Sequence, residues 1–503
     1  MARAGSAAAS SPCGLIWLWS WKMSELQTVD LAIVGAGPAG LAAALAASDQ
    51  GLSVVIIDEQ PEIGGQIFRQ PPHSFKAAPS SAFRSYPFGT KLLEQARGDS
   101  RICFQLGTTA WGVFEPRDGG RGVELGLSSQ DGGLMLRSKA LLIATGAHDM
   151  PVAFPGWTLP GVMAAGGVQT LLKSQHVLSA KRYVLAGSHP LIFVLAEQLL
   201  KAGAEIAEVA IARPFPGLSE MLRAIPALPG QGRVVADLMR SLLALRRHKV
   251  PLSFSTSIRR AEGTEEGVAR VVLQNVDGNG KLEKGTERTV EGIDGVAIGY
   301  GLLASTELAR QAGCAVHWAP DRGGWVVGHD DDMQTSRTDI YVAGEPAGIG
   351  GARRAFLQGK LAGLTIGAAV KGSDPASKAV RNAKTAVSRT DTFAAIMAQS
   401  FAPDLKLLAS LADDETILCR CEEVASKDVD AFLKQSPFIT SVNAVKLGCR
   451  TGMGPCQGRY CQLSVAMRVA DRCNLPVETA GQFTAQAPIR PVPLKHLAKL
   501  GLD

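Results

Sequence analysis

Cysteine is scarce in this chain. There are nine in 503 residues, an odd number, with several gathered near the C-terminus. That count excludes the disulfide framework that staples small extracellular domains. Eight histidines are scattered along the chain, and no Ser/His/Asp set has motif context, so no catalytic residue is assigned. No Cys-x-x-Cys pair stands in the N-terminal two-thirds, which excludes dithiol–disulfide exchange there. A net charge of +6 is modest for this length and no long basic block occurs, so nucleic acid is not a partner. The short run Arg246–Lys249 reads as a solvated helix face. Long charge-free runs are also rare. One, Leu31–Ser48, has the length of a membrane span, but Gly, Ala and Pro fill all six of its positions from 35 to 40 in a loop pattern. A lipid-facing loop would leave backbone groups unsatisfied, so no membrane span is expected.

What is present begins with an apolar strand over 29–34, the turn Gly35-Ala-Gly37-Pro-Ala-Gly40 and an Ala/Leu-rich helix. A second strand over 53–57 follows and ends on Asp58 and Glu59. This is a dinucleotide fingerprint in its strand–turn–helix–strand setting. Gly35 permits the tight turn, Gly37 lets the backbone approach a pyrophosphate, and Gly40 allows close helix–strand contact. The helix N-terminus offers unpaired N–H groups and a favourable dipole to the phosphates. Asp58 falls at the position that binds ribose hydroxyls, with Glu59 the near alternative. Downstream signals favour FAD over NAD. Gly64-Gly65-Gln66 brings backbone near a flavin, Leu141–Gly146 reads as the strand and turn closing the first half, and Thr338–Glu345 resembles a strand ending in Gly-Asp whose carboxylate binds the ribitol. Here Glu345, after Gly344, replaces the Asp. Gly350-Gly351 and the helix after them would cap the flavin. His148, near the expected flavin, is given no role.

A second nucleotide turn is altered. In Arg182–Ile192, Gly187 survives, but His189 stands at the second glycine position and Ile192 at the third. A side chain at the second position collides with a pyrophosphate. The strand over 209–212 ends without a ribose acid, and Arg213 follows. The sequence keeps a fold here that has lost or changed its nicotinamide site.

Four cysteines near the C-terminus form a Cys-x-Cys and a Cys-x₄-Cys pair: Cys419, Cys421, Cys456 and Cys461. Soft thiolates favour zinc or an iron–sulfur cluster over hard cations. Gly448, Gly452, Gly454 and Gly458 allow turns that aim backbone N–H groups at sulfides. Cys-x-Cys spacing differs from common zinc knuckles and favours a 2Fe–2S cluster, with zinc as the alternative. Cys449 reads as a spectator thiol; Cys103, Cys314 and Cys473 read as core residues.

The run over 416–470, with its Gly-Met-Gly-Pro-Cys-Gln-Gly stretch, resembles the small 2Fe–2S domain typified by bacterioferritin-associated ferredoxin. That resemblance implies that Cys419, Cys421, Cys456 and Cys461 are the four ligands. With Gly156–Gly167 and Ala297–Leu308 added, residues 27–500 resemble the flavin- and cluster-bearing components of heteromeric amine dehydrogenases. That family includes the FAD- and cluster-carrying polypeptides of opine oxidase and of hydrogen cyanide synthase, and the alpha chains of proline and D-hydroxyproline dehydrogenases. The resemblance implies an α/β two-dinucleotide-binding-fold flavoprotein, an FAD Rossmann-like domain with an inserted NAD(P)-like domain, plus a small C-terminal cluster domain. It implies an electron-transfer subunit served by a partner, an FAD-dependent amine or amino acid oxidase-like subunit that oxidises a C–N bond. A quinone or the respiratory chain would be the downstream acceptor. Two alternatives stay open: a self-contained NAD(P)H-dependent reductase, and a non-catalytic assembly subunit with structural zinc.

The expected layout places a disordered or mis-started extension at 1–26. The first part of the FAD domain follows at 27–157, the inserted domain at 158–290 and the second FAD part at 291–370. A linker and connecting helix occupy 371–412, and the cluster domain with an extended, Pro-rich tail occupies 413–503. The cytoplasm is the expected compartment, with the inner face of the membrane reached through partners.

Overall fold

The computed structural model describes residues 27–71, 86–225, 231–374 and 376–500; the expectation for 1–26 lies outside them. The charge-free run near the N-terminus divides as its turn residues require, into β1 (Gln27–Val34) and a helix, Pro38–Ser48, with Pro at its first position. Proline suits that position because its missing N–H has no partner in the first turn anyway. β2 (Val54–Asp58), β3 (Ile102–Leu106), β4 (Thr109–Phe114), β5 (Val123–Ser128) and β6 (Gly133–Ile143) complete most of a seven-stranded sheet in the order β3-β2-β1-β6-β5-β4. β1, β2 and β3 are parallel, as expected for strands joined by helical crossovers. β6 pairs with β1 along one edge and divides its other edge between two strands. Its first half pairs antiparallel with β5, and its last residues, Leu141–Ile143, pair parallel with Ile340–Val342 from far down the chain.

Helix Pro38–Ser48 is buried along almost its whole length and packs on helix Ala352–Lys371. The contact is made backbone to backbone. A Cβ on Gly359 would stand 2.0 Å from the Ala39 carbonyl oxygen, and one on Gly363 would stand 2.3 Å from that of Ala43.

The chain leaves the first sheet through β7 (Ala147–Asp149) and returns through β16 (Leu302–Ala304), which pair antiparallel. Between them lies a second, wholly parallel sheet of β8 (Val162–Ala164), β9 (Arg182–Gly187), β10 (Glu205–Ile211), β11 (Leu252–Phe254) and β15 (Gly295–Gly299), in the order β11-β10-β9-β15-β8. An antiparallel trio, β12 (Thr256–Thr264), β13 (Gly267–Asn275) and β14 (Arg288–Glu291), packs beside it.

The segment after helix Ala352–Lys371 holds three helices, Lys378–Ser388, Asp391–Ser400 and Leu405–Leu411. The sequence of this segment suggests a helix only over Thr390–Ser400, which corresponds to the middle one. The first and third are each capped by a side chain. Ser377 Oγ accepts from the Val380 N–H, and the Asp404 carboxylate accepts from the Lys406 and Leu407 N–H groups. The cysteine-bearing segment follows, with strands Ile417–Cys419 and Val424–Ala425 and helices Ser426–Gln435, Val442–Cys449 and Gln462–Cys473. Its apolar side chains, among them Leu418, Val429, Val465 and Met467, join one core with Phe154, Ile258 and Val296. Trp157 Nε1 donates to the Ile417 carbonyl at 2.7 Å and reinforces that junction. The final residues run along the first sheet: the Ile489 N–H donates to the Trp111 carbonyl, and His496 Nδ1 lies 2.8 Å from Ser128 Oγ. No described helix is long and apolar enough to cross a membrane.

Candidate functional site

The first nucleotide turn is tightened by its own glycines. Gly35 has φ of +115°, and a Cβ there would fall 2.2 Å from the Ala144 carbonyl oxygen; one on Gly40 would fall 1.9 Å from the Gly35 oxygen. The Gly64-Gly65 loop folds over the same turn. The Gly64 N–H donates to the Ala36 carbonyl at 2.8 Å, and a Cβ on Gly65 would stand 2.8 Å from Gly37 Cα. Gly37 itself has no other heavy-atom neighbour within 4 Å of an added Cβ, so the mouth of the turn is open.

Asp58 faces this turn. One carboxylate oxygen accepts from the Ala36 N–H at 2.6 Å and the other from the Gln60 N–H at 2.8 Å. Burial raises its carboxyl above the ordinary carboxylate range, and the two backbone hydrogen bonds oppose that shift. Each oxygen keeps a lone pair for a ribose hydroxyl. Glu59 points elsewhere. It is half-exposed and stands 3.5 Å from Arg490 Nε of the C-terminal tail. Gln66 accepts through Oε1 from Arg69 Nη2, and Arg69 also reaches Gln60. Arg69 Nε is buried without a hydrogen bond, and its charge interacts with that of Asp58.

Gly344 and Glu345 come to the same sheet end. The Gly344 N–H donates to Gln358 Oε1 at 3.1 Å, and Gln358 Nε2 is buried without a hydrogen bond. Desolvation raises the Glu345 carboxyl and, with the charge of Glu345 adding to it, raises the Tyr86 phenol. An open glycine turn, two orphaned buried donors and a desolvated acid fit a ligand that carries phosphates and hydroxyls, as FAD does. Sequence reasoning missed Arg69, Gln358 and Lys173. Lys173 lies in the π-helical turn Leu171–Gln175 of the second half, where burial and then the charge of Arg69 lower its ammonium to about 8. A π-turn has no clear sequence signal, and a lone Gln or Arg has none either.

The second nucleotide turn is filled from within. His189 is half-buried, its backbone N–H donates to the Gly299 carbonyl at 3.0 Å, and its Nδ1 accepts from the Leu191 N–H at 3.3 Å, at the start of helix Leu191–Lys201. Burial lowers the imidazole to about 4, so it is neutral at pH 7. Ile192 is fully buried and occupies the space over Gly187 and Gly299. The N–H that a phosphate would use is already bonded.

The four C-terminal cysteines come together as two pairs. Cys419 and Cys461 are buried and share a hydrogen bond, while Cys421 Sγ lies 3.6 Å from Cys456 Sγ on the more exposed side. The Cys461 thiol beside it, together with the Gly452 and Glu422 N–H groups, lowers Cys419 to about 5; Cys461 is pushed up by Cys419, and burial raises Cys421 to about 11. Cys461 also feels the charge of Cys456 and Cys421. Among the described residues, no group of three or more His, Cys, Asp or Glu side chains forms a metal-binding arrangement. The donor set nonetheless suits a thiophilic centre, and Gly454 leaves Cys421 its space, since a Cβ there would lie 2.6 Å from the sulfur. Cys449 stands apart, its sulfur directed at the Asp428 carbonyl; Cys473 and Cys314 bond to Ile439 and Thr335.

A small cleft of about 60 Å³ lies between the flavin-type half and the cysteine segment. His148, Glu307, Arg310 and Trp318 line one side; Lys446, Arg459 and Phe483 line the other. Arg310 donates to the Phe483 carbonyl, and Glu307 lies 3.7 Å from Arg459 and 3.9 Å from Arg490. The Phe483 ring rests on Gly452 and Gly458, so it stands between the cleft and the cysteine loops. His148 is lowered to about 4 by burial and contacts Ser305.

The family model for pyridine nucleotide-disulphide oxidoreductases matches residues 29–359, the stretch that holds both nucleotide turns. The chain belongs to that family. Within this family of FAD flavoprotein oxidoreductases it is similar to the first-lettered subunit of opine oxidase from Agrobacterium tumefaciens (strain Ach5), at 32% identity over 94% of this chain and 92% of that protein. It is similar to the HcnB subunit of hydrogen cyanide synthase from Pseudomonas aeruginosa at 30% identity, over 94% of this chain and 98% of that protein. Among solved structures, L-proline dehydrogenase from P. horikoshii shares the fold with a TM-score of 0.63 and 22% identity, over 94% of this chain and 81% of that one. The pyridine nucleotide-disulphide oxidoreductase family accounts for the two sheets and the FAD turn. Its match stops short of the four cysteines.

Proposed function

We propose that this flavoprotein is the FAD- and 2Fe–2S-bearing electron-transfer subunit of a heteromeric amino acid or opine dehydrogenase. A separate oxidase-like subunit would oxidise the C–N bond. The observation that carries this reading is the filled second nucleotide turn. With His189 bonded to Leu191 and Ile192 packed over Gly187, a nicotinamide dinucleotide has no phosphate seat there, and the flavin needs another source of electrons. The opine oxidase and hydrogen cyanide synthase relatives are each named as one subunit of their enzyme, which supports a multi-subunit assembly.

In this reading Gly35, Gly37 and Gly40 hold the turn open to the pyrophosphate, and Asp58 accepts from the ribose hydroxyls. Gly65 and Gln66 close over the turn, and Gly344 with Glu345 borders the ribitol. Glu59, turned to Arg490, takes no part. Cys419, Cys421, Cys456 and Cys461 are the thiolate ligands. When bound, the two cofactors supply two-electron and one-electron redox chemistry side by side. The protein contributes position and dielectric. Phe483 excludes water between the cleft and the cysteine loops, and neutral His148 adds no charge to the flavin side.

Anaerobic mixing of the isolated, cofactor-loaded chain with NADH and then NADPH, following the flavin absorbance, tests this. The expected result is no bleaching, with reduction restored only by the partner subunit plus an amino acid or opine. Rapid bleaching by either nicotinamide would make the chain a self-contained reductase. Metal analysis gives a second outcome: one zinc per chain, without iron or acid-labile sulfide, would remove the cluster and leave a structural staple.

A further inference from the structure

Two consecutive helices of the second half present apolar side chains to solvent. In helix Leu218–Ala224, Leu218 and Leu222 lie one turn apart on one face, and with Phe215 before the helix and Ile225 just after it they are exposed, Leu218 to 75% and Phe215 to 65%. In Gly232–Arg247 the exposed stripe is Val235, Met239 and Leu243, spaced by four, with Met239 59% exposed. Buried Leu245 and Ser241 mark the opposite face, which packs inward. Single exposed apolar residues are ordinary, but seven between positions 215 and 243 mark a surface that is covered by something.

The charge pattern indicates what covers it. Between Arg213 and Lys249 the sequence carries seven arginines and lysines against two carboxylates, a net +5 in a chain whose total is +6. Both carboxylates are already matched, Glu220 to Arg213 and Asp237 to Arg240. Arg223, Arg233, Arg246, Arg247 and Lys249 are exposed, with no carboxylate partner among the described residues. Arg246 falls within the angular range of the Val235–Met239–Leu243 stripe, and Arg247, Arg240 and Arg233 flank it on one side. Long basic side chains beside an apolar stripe can lay their stems on it and lift their charges to a headgroup layer. Exposed apolar stripes with interleaved arginines match anionic headgroups over acyl chains.

We propose that the exposed apolar side chains of helices Leu218–Ala224 and Gly232–Arg247, with the arginines beside them, dock this chain directly onto an anionic lipid bilayer, lying in the interface without crossing it. This is independent of the reading of the nucleotide and cysteine sites. The probe is co-flotation of the FAD-loaded full chain with vesicles of phosphatidylcholine mixed with phosphatidylglycerol, against vesicles of phosphatidylcholine alone. Partition onto the mixed vesicles only, weakened by salt, is expected. Arg246→Ala with Arg247→Ala lowers that partition about thirtyfold, from the usual contribution of each basic residue near an anionic surface. Met239→Glu with Leu243→Glu abolishes it, while bound flavin is unchanged in both variants. Equal flotation of wild type and both variants, or none with the mixed vesicles, overturns the proposal. A chain that ignores vesicles, yet through Met239→Glu with Leu243→Glu loses either self-association or co-purification with an oxidase-like subunit, overturns it too and assigns the face to a protein interface.

Discussion

At the scale of single residues, two neighbouring acids at the end of β2 have separate surroundings. Asp58 receives two backbone N–H groups at the nucleotide turn, whereas Glu59 meets Arg490 at the tail. Asp58→Ala is therefore expected to weaken FAD binding by tenfold to about a hundredfold, because it removes a ribose acceptor and orphans the Ala36 N–H. Glu59→Ala should change it by no more than about twofold, as half-exposed ion pairs contribute little. Equilibrium titration of apo-protein with FAD distinguishes the two. His189 carries a second residue-level consequence. Its folded pKa of about 4 lies below the ordinary value of 6.5. The unfolded chain thus binds the extra proton first, and the stability held by the neutral ring is complete above that ordinary value and is lost as pH falls towards about 4. His189→Asn keeps a side-chain acceptor for the Leu191 N–H without the titration. Unfolding free energies from urea titrations between about pH 7 and about pH 5 should fall less steeply for this variant, by up to about 1.4 kcal/mol per pH unit.

At the scale of elements, the pairing of helix Pro38–Ser48 with helix Ala352–Lys371 ties the nucleotide turn to the strand end that carries Gly344. Gly359→Val would drive a branched side chain into the Ala39 carbonyl, 2.0 Å from its Cβ position. Overpacking of that kind costs on the order of 3 kcal/mol. The separation it forces should release FAD, and flavin content after gel filtration reads this directly. The sequence carries clear marks for some elements and none for others. The turn at Gly35–Gly40 and the strand before it are legible because strand, glycine spacing and helix occur in one short run. Helices Lys378–Ser388 and Leu405–Leu411 are less so, although Ser377 and Asp404 are cap residues with known preferences. Their apolar faces are short and depend on partners far away in sequence. The exposed stripe at Met239 is likewise hidden in sequence, because a helix with apolar residues on two faces reads as a buried one until the neighbours are known.

At the scale of the whole molecule, the cysteine segment is continuous with the second half, sharing its core and the Trp157–Ile417 hydrogen bond. Trp157→Phe keeps most of the apolar area but leaves the Ile417 carbonyl without that donor, a loss of about 1 kcal/mol. Faster limited proteolysis between residues 400 and 420, at unchanged flavin content, is the expected sign. The four cysteines are legible as a group because Cys-x-Cys and Cys-x₄-Cys stand out in a cysteine-poor chain. Their place behind Phe483 and across a cleft from the flavin-type half is not, since residues separated by more than a hundred positions build that cleft.

One feature of the first sheet bears on how the protein is made. β6 is complete early, yet its last residues wait for Ile340–Val342 to fill the parallel place beside them. On the ribosome, the first nucleotide half emerges with that sheet edge unpaired and without Gly344 or helix Ala352–Lys371. The whole second half must be synthesised before they arrive. N-terminal regions generally fold as they emerge, and unpaired strand edges are exposed to aggregation. The second half therefore has every opportunity to fold first, as an independent insert with its own parallel sheet. Flavin capture becomes one of the last events in the life of the nascent chain, and nascent chains halted before residue 340 should emerge free of FAD.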